Sequence, residues 1–184
     1  MTLADNGSTL ARFVDRLGEF GVSHTTVGPS GVADAIAAVA DTPAVGVSLP
    51  DGLGELPDSV VTDPSPSELR AAATGVTHAT LGIADYGSLV LPVTADGVEP
   101  VSLFADTHVA VLDTANVVSG MADALAELGP AFREEGESAI VATGPSATAD
   151  MGALVTGAHG PKAVHAVLVD RTDETGVEAR GDDA

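Results

Sequence analysis

Cysteine is absent from the 184 residues. That absence excludes disulfides, thiolate nucleophiles and any Cys-ligated zinc or iron–sulfur cluster held by this chain. Aromatic residues make up only 3%. The core must therefore be built from Ala, Val, Leu and Ile, with Phe13, Phe20, Phe104 and Phe132 as its few large fillers. Basic residues are scarce too: 7 Lys and Arg stand against 27 Asp and Glu, and Lys162 is the sole lysine. A net charge of −20 argues against nucleic acid and against an anionic membrane surface, because both need cations to neutralise phosphates. Long apolar runs are also missing. No stretch approaches the ~20 residues of a membrane helix, and Met1–Ser8 has neither the basic nor the apolar region of a secretory signal. The expectation is a soluble, cytoplasmic protein.

Abundant Asp, almost no Lys and small core residues form a salt-adapted composition of haloarchaeal type. Spread evenly over roughly 8,000 Å² of surface, the net charges would lie about 20 Å apart, beyond the Debye length of about 10 Å at 0.1 M salt. Clustered, they would make stability depend on salt.

The length fits one α/β domain over residues 1–170, followed by an acidic, disordered tail over 171–184. Leu10, Phe13, Val14, Leu17 and Phe20 recur with helical period over 8–20, with Ser8 as N-cap and Gly21 as stop. A short strand over 22–27 precedes a helix carrying Val32, Ile36 and Val39. Residues 44–49 read as a buried strand closed by Pro50-Asp51-Gly52. A weaker strand at 60–62 leads to a helix started by Ser65. Between Gly75 and Asp113 the apolar runs 79–84, 88–93 and 108–113 read as neighbouring strands, some too closely connected to be parallel. Asn116 caps a helix using Val117, Met121, Leu125 and Leu128. A strand at 139–143, a short helix near 148–155 and a last strand at 164–169 follow. Strands alternating with helices predict a three-layer αβα domain with a mainly parallel, partly mixed sheet.

The segment Gly144-Pro145-Ser146-Ala147-Thr148-Ala149-Asp150 sits where a strand hands over to that short helix. Such a turn would aim backbone N–H groups and the positive helix end at a carboxylate or phosphate, with Ser146 and Thr148 as hydroxyl donors and Asp150 orienting them. Ordinary Ser/Thr capping explains the same residues equally well. His159, between Gly157 and Gly160-Pro161, is a candidate acid/base or anion contact, against the commoner fate of a backbone-bonded loop histidine. Asp85 and Ser88, in a turn between two apolar strands, could present polar groups at a sheet end; a plain β-turn is the simpler reading. His78 and His108 read as structural, and His24 and His165 carry no signal. The five histidines show no metal-ligand spacing. No nucleophile elbow, zinc-protease helix, Walker loop or dinucleotide loop is present.

Together, Ile83-Ala84-Asp85-Tyr86-Gly87-Ser88-Leu89-Val90, Ser102-Leu103, Asp106-Thr107-His108-Val109-Ala110-Val111, Gly144 to Asp150 and Gly157-Ala158-His159-Gly160-Pro161 resemble the LUD-domain family, in its lactate utilisation protein C branch. The resemblance covers about Thr74 to Val169, and the last two segments are the most specific. Two positions depart from the family pattern: Ala147 replaces the usual Arg, removing a guanidinium from the anion-binding case, and Tyr86 stands where Thr is common. The resemblance implies a fold like the sugar-phosphate-isomerase and CoA-transferase superfold. It also implies a part in oxidising L-lactate to pyruvate beside Cys-rich and iron–sulfur subunits. The clusters would then sit on those partners, with no cofactor on this chain.

The leading expectation is an accessory subunit with an anion pocket formed by Gly144, Pro145, Ser146, Thr148, Asp150, His159 and Gly160, with Asp85 and Ser88 as second candidates. No catalytic residue is singled out and no metal is expected. A free-standing enzyme of the same superfold, acting on a small carboxylate or phosphate, is the first alternative. A non-catalytic assembly module is the second.

Overall fold

The computed structural model describes residues 3–134, 136–150, 153–157 and 159–172; for 3–6, 148–150 and 153–155 the backbone alone is described. The first helix, α1 (Leu3–Glu19), starts before Ser8, which lies inside it rather than capping it. Its stripe is the one the period predicts: Phe13 and Leu17 are fully buried, and Leu10 and Val14 pack against the same cluster. Burial of each large side chain stabilises the fold by about 1.5–3 kcal/mol. Phe20 does not join them; it is 47% exposed. The helix ends where Gly21 turns to φ +73. The Gly21 N–H reaches Gly18 O and the Val22 N–H reaches Leu17 O, the paired bonds of a Schellman stop.

Next come β1 (Ser23–Val27), α2 (Val32–Ala37), β2 (Ala44–Gly46), β3 (Val60–Thr62) and α3 (Pro66–Ala71). Ser65 caps α3 in a capping box with Glu68. The chain then forms β4 (Thr74–Ala79), β5 (Leu81–Ile83), β6 (Ser88–Pro92), α4 (Val98–Phe104) and β7 (Thr107–Asp113). Two corrections fall here. The expected strand at 79–84 is the shorter β5, and neither β4 before it nor α4 was foreseen. After β7 come β8 (Val117–Val118) and α5 (Met121–Glu134). Asn116 lies in a 3-10 turn before β8 and does not cap α5. The chain closes with β9 (Ala139–Ala142), β10 (Ala147–Asp150), β11 (Ala153–Thr156) and β12 (Ala163–Val169).

Six strands form one parallel sheet in the order β1-β12-β7-β4-β2-β3. One face packs on α2 through Val32, Ile36, Val76, Val109, Val111 and Val167. The other packs on α1 and α4 through Phe13, Leu17, Val101, Ala110, Leu112 and Leu168. Helices on both faces of a mainly parallel sheet make this the three-layer αβα arrangement. The antiparallel pairing anticipated in the middle of the chain belongs to a separate four-stranded sheet, β8-β5-β6-β9. That sheet rests on α5 through Leu81, Ile83, Val90 and Ala124.

The expected helix near 148–155 is a β-hairpin. Ala147 pairs with Thr156 and Asp150 with Ala153, antiparallel. The tail expected over 171–184 lies outside the described residues beyond Thr172. Arg171, counted as its first residue, is ion-paired to Asp113 at 3.3 Å.

Candidate functional site

The turn after β9 is built under α1. Gly144 holds φ +71, and a Cβ there would lie 2.6 Å from Phe20 O, so only glycine fits beneath the end of the helix. The Ser146 N–H donates to Pro161 O at 2.9 Å, and Ser146 O accepts from the Gly157 N–H at 2.8 Å. These two bonds clasp the Gly-Pro-Ser turn to the Gly157–Pro161 loop, bringing the two motifs together in space. The Lys162 and Ala163 N–H groups then bond Asp106 O at 2.7 and 3.1 Å, fixing the clasp to the loop that enters β7.

Beside the clasp lies a cavity of about 170 Å³. Gly144, Ser146, His159 and Gly160 form its polar edge. Its walls are largely apolar, from Leu91 and Ile140 of the small sheet, Leu103 of α4 and Val164 of β12. His108 and Ser102 complete it. His108 and Val164 are the second residues of β7 and β12, so the cavity sits at the amino ends of those strands, away from the carboxyl ends where open α/β sheets usually bind ligands.

Its electrostatics follow from these contacts. Burial alone pushes His108 down to about 4, so the imidazole is neutral at neutral pH, and its Nε2 is hydrogen-bonded to Thr77 Oγ1 at 2.8 Å. The Ser102 hydroxyl donates to Glu99 O at 2.8 Å. Among the described residues no Arg or Lys lines the cavity, and Lys162, next to Pro161, is held by Asp106 at 2.8 Å. The hairpin removes the helix N-terminus that the anion reading invoked, and the Ser146 N–H is spent on Pro161. Among the described residues, the Ser146 side chain and the exposed His159 imidazole stand at one end of an apolar chamber. Such a site suits a small molecule with one polar end.

The other predicted residues separate from this group. Pro145 shapes the turn without lining the cavity. The backbones of Thr148 and Asp150 lie in β10, and their side chains are outside the described positions. Asp85 lies in the β5–β6 turn, exposed and ion-paired to Arg12 at 3.3 Å. Ser88 is buried, and its hydroxyl bonds Thr143 Oγ1 at 2.6 Å, so it buttresses the turn from behind. His165, which carried no signal, is buried between Ser23 Oγ at 2.8 Å and Thr25 Oγ1 at 3.1 Å. His108 was read as structural; it is hydrogen-bonded, and it also lines the cavity. Its place in the Asp106-Thr107-His108 segment was the signal that could have found it. His78 departs from its structural reading, because its buried Nδ1 has no hydrogen-bond partner. It lines a second cavity of about 320 Å³ at the opposite, carboxyl end of the sheet.

Among the described residues no group of three or more His, Asp or Glu is placed to hold a metal ion. No helix there is long and apolar enough to cross a membrane.

Comparison with known proteins bears on the same segments. A DUF162 family protein from Deinococcus radiodurans shares the fold with a TM-score of 0.69, at 24% identity, over 89% of this chain and 98% of that one. None of the curated proteins compared matches. The family model for the LUD domain matches residues 59–169, a span holding both halves of the clasp and every strand of the small sheet. Because that match covers more than half of the chain, the protein belongs to the LUD-domain family.

Proposed function

We propose that this chain serves lactate utilisation as an accessory subunit of an iron–sulfur system oxidising L-lactate to pyruvate. The observation that carries the reading is the clasp: the two most specific family segments are bonded to each other and place Ser146 and His159 on one small cavity. A chain without cysteine offers no thiolate for a cluster, so its residues do not fit such a group. The reading assigns the clusters and the electron path to Cys-rich and iron–sulfur partner subunits. The role of this chain is then to present a small polar-ended pocket, and a surface, to those partners in a soluble, cytoplasmic assembly.

The test is purification of the tagged protein from lactate-grown cells of its host, at high salt, with iron and co-purifying chains assayed. Recovery of a Cys-rich, iron-containing partner is the expected result; an isolated, iron-free chain would sink the proposal. In a deletion strain, S146A and H159A should slow lactate consumption while still co-purifying with the partner. Full complementation by both variants would instead favour a plain assembly module.

A further inference from the structure

We propose that the cleft at the carboxyl ends of β2, β4, β7 and β12 binds a small organic carboxylate, with the Arg171 guanidinium taking the carboxylate and His78 making a second polar contact. The topology places a cleft there. The chain leaves β2 toward β3 and leaves β4 toward β7, in opposite directions across the sheet. Outgoing loops that part in this way open a crevice above the boundary between the two strands, where α/β sheets take their ligands. The 320 Å³ cavity is of small-molecule size. Pro50 and Leu53 come from the loop after β2, His78 and Ala79 from the end of β4, and Arg171 from just beyond β12.

The lining selects the ligand class. Arg171 spends one N–H on Asp113 Oδ2 at 3.3 Å, and its side chain is 55% exposed. The other Asp113 oxygen accepts the Ala115 N–H at 2.9 Å, so that carboxylate is held in place and its charge is offset by Arg171. A guanidinium has five donors in a planar fork, which leaves it able to grip a second carboxylate. Leu53 and Ala79 are 7% and 2% exposed. They offer an apolar floor that a short carbon chain covers and an inorganic ion does not. His78 lines the cleft with a half-buried ring. Its Nδ1 is shielded from solvent and unpaired, so the polar contact to a ligand falls to the rest of the ring. Burial pushes its pKa down, with Asp96 partly opposing, so it meets a hydroxyl or carbonyl as a neutral group. Asp51, exposed on the same cleft, opposes an anion and sets a limit on affinity. The site lies at the other end of the strands from the clasp and stands independently of the lactate reading.

The experiment is an NMR titration of the full chain with propionate, pyruvate and the uncharged propionamide, following the His78 ring and Arg171 side-chain signals. Both carboxylates should shift those signals and the amide should not. R171A should weaken binding about tenfold or more, the size expected when a hydrogen bond to a charged group is lost. D51N should tighten it, and S146A and H159A should leave it unchanged. Wild-type signals at His78 and Arg171 that ignore both carboxylates would overturn the proposal, whatever the folding of the variants. So would equal binding of the amide, or loss of binding in S146A or H159A with R171A unaffected.

Discussion

His108 shows how much a single buried group decides. It is 2% exposed in the central strand β7, satisfied by Thr77, and its burial holds the folded pKa near 4 against 6.5 for a free imidazole. Between those values the unfolded chain binds a proton that the folded chain refuses, so stability is fully present above about pH 6.5 and is lost as pH falls toward 4. The linked loss is up to about 3 kcal/mol. His78 and His165 are shifted the same way by desolvation and add to it with the same sign. Denaturant unfolding of the wild type across this window should show stability falling with acid, and H108N should flatten the slope. An unchanged slope in that variant would mean that other groups carry the acid sensitivity. Residue type was legible here and residue role was not. The motif marks His108, but its neutrality and its place on the cavity come from the strands packed around it.

At the scale of elements, α4 and β4 were the hardest to read, and for one reason. Thr74-Gly75-Val76-Thr77-His78-Ala79 mixes polar residues and a glycine, which looks like a break. In the fold, Thr77 is satisfied by His108 and Gly75 is the contact point for α4. A Cβ on Gly75 would lie 2.1 Å from Val101 O, backbone that cannot swing aside. G75A should therefore force α4 off the sheet, at a cost on the order of 3 kcal/mol, read as a lower denaturant midpoint. A loss below about 0.5 kcal/mol would show that α4 slides freely, against the packing described. The helix α4 itself escapes notice because it is short and carries Pro100, which its first turn tolerates. The β10–β11 hairpin is the opposite case. Ala, Met and Leu over 147–156 favour a helix locally, yet the clasp of Ser146 to Gly157 and Pro161 brings the segment back on itself and the backbone pairs as strands. Where local preference spans a few tenths of a kcal/mol per residue, tertiary hydrogen bonds overrule it.

Across the whole molecule the charge imbalance dominates. Among the described residues Arg12, Arg16, Lys162 and Arg171 pair with carboxylates, and the sequence has only 7 Lys and Arg to set against 27 Asp and Glu. Self-repulsion of that kind weakens the compact state and is screened by salt. The melting temperature should rise by several degrees from low ionic strength to molar KCl, since each kcal/mol relieved is worth about 2–4 °C in a chain of this size. A flat melting series would mean that the charges are too evenly spread to interact. Composition and periodicity were enough to establish the absence of thiolate chemistry, the α/β class, the stripe of α1, the first and last strands of the parallel sheet, and the motif pair around Ser146 and His159. All of these depend on residue type and on spacing of a few positions, which a linear string records. The tertiary structure alone decided that the Gly-Pro-Ser segment opens a hairpin instead of a helix. It also decided that Asp85 and Ser88 stand apart from the cavity, and that His78, Asp113 and Arg171 meet at the other end of the sheet. Those three lie on β4, at the end of β7 and just beyond β12, and residues so far apart in sequence become neighbours only through strand order and register.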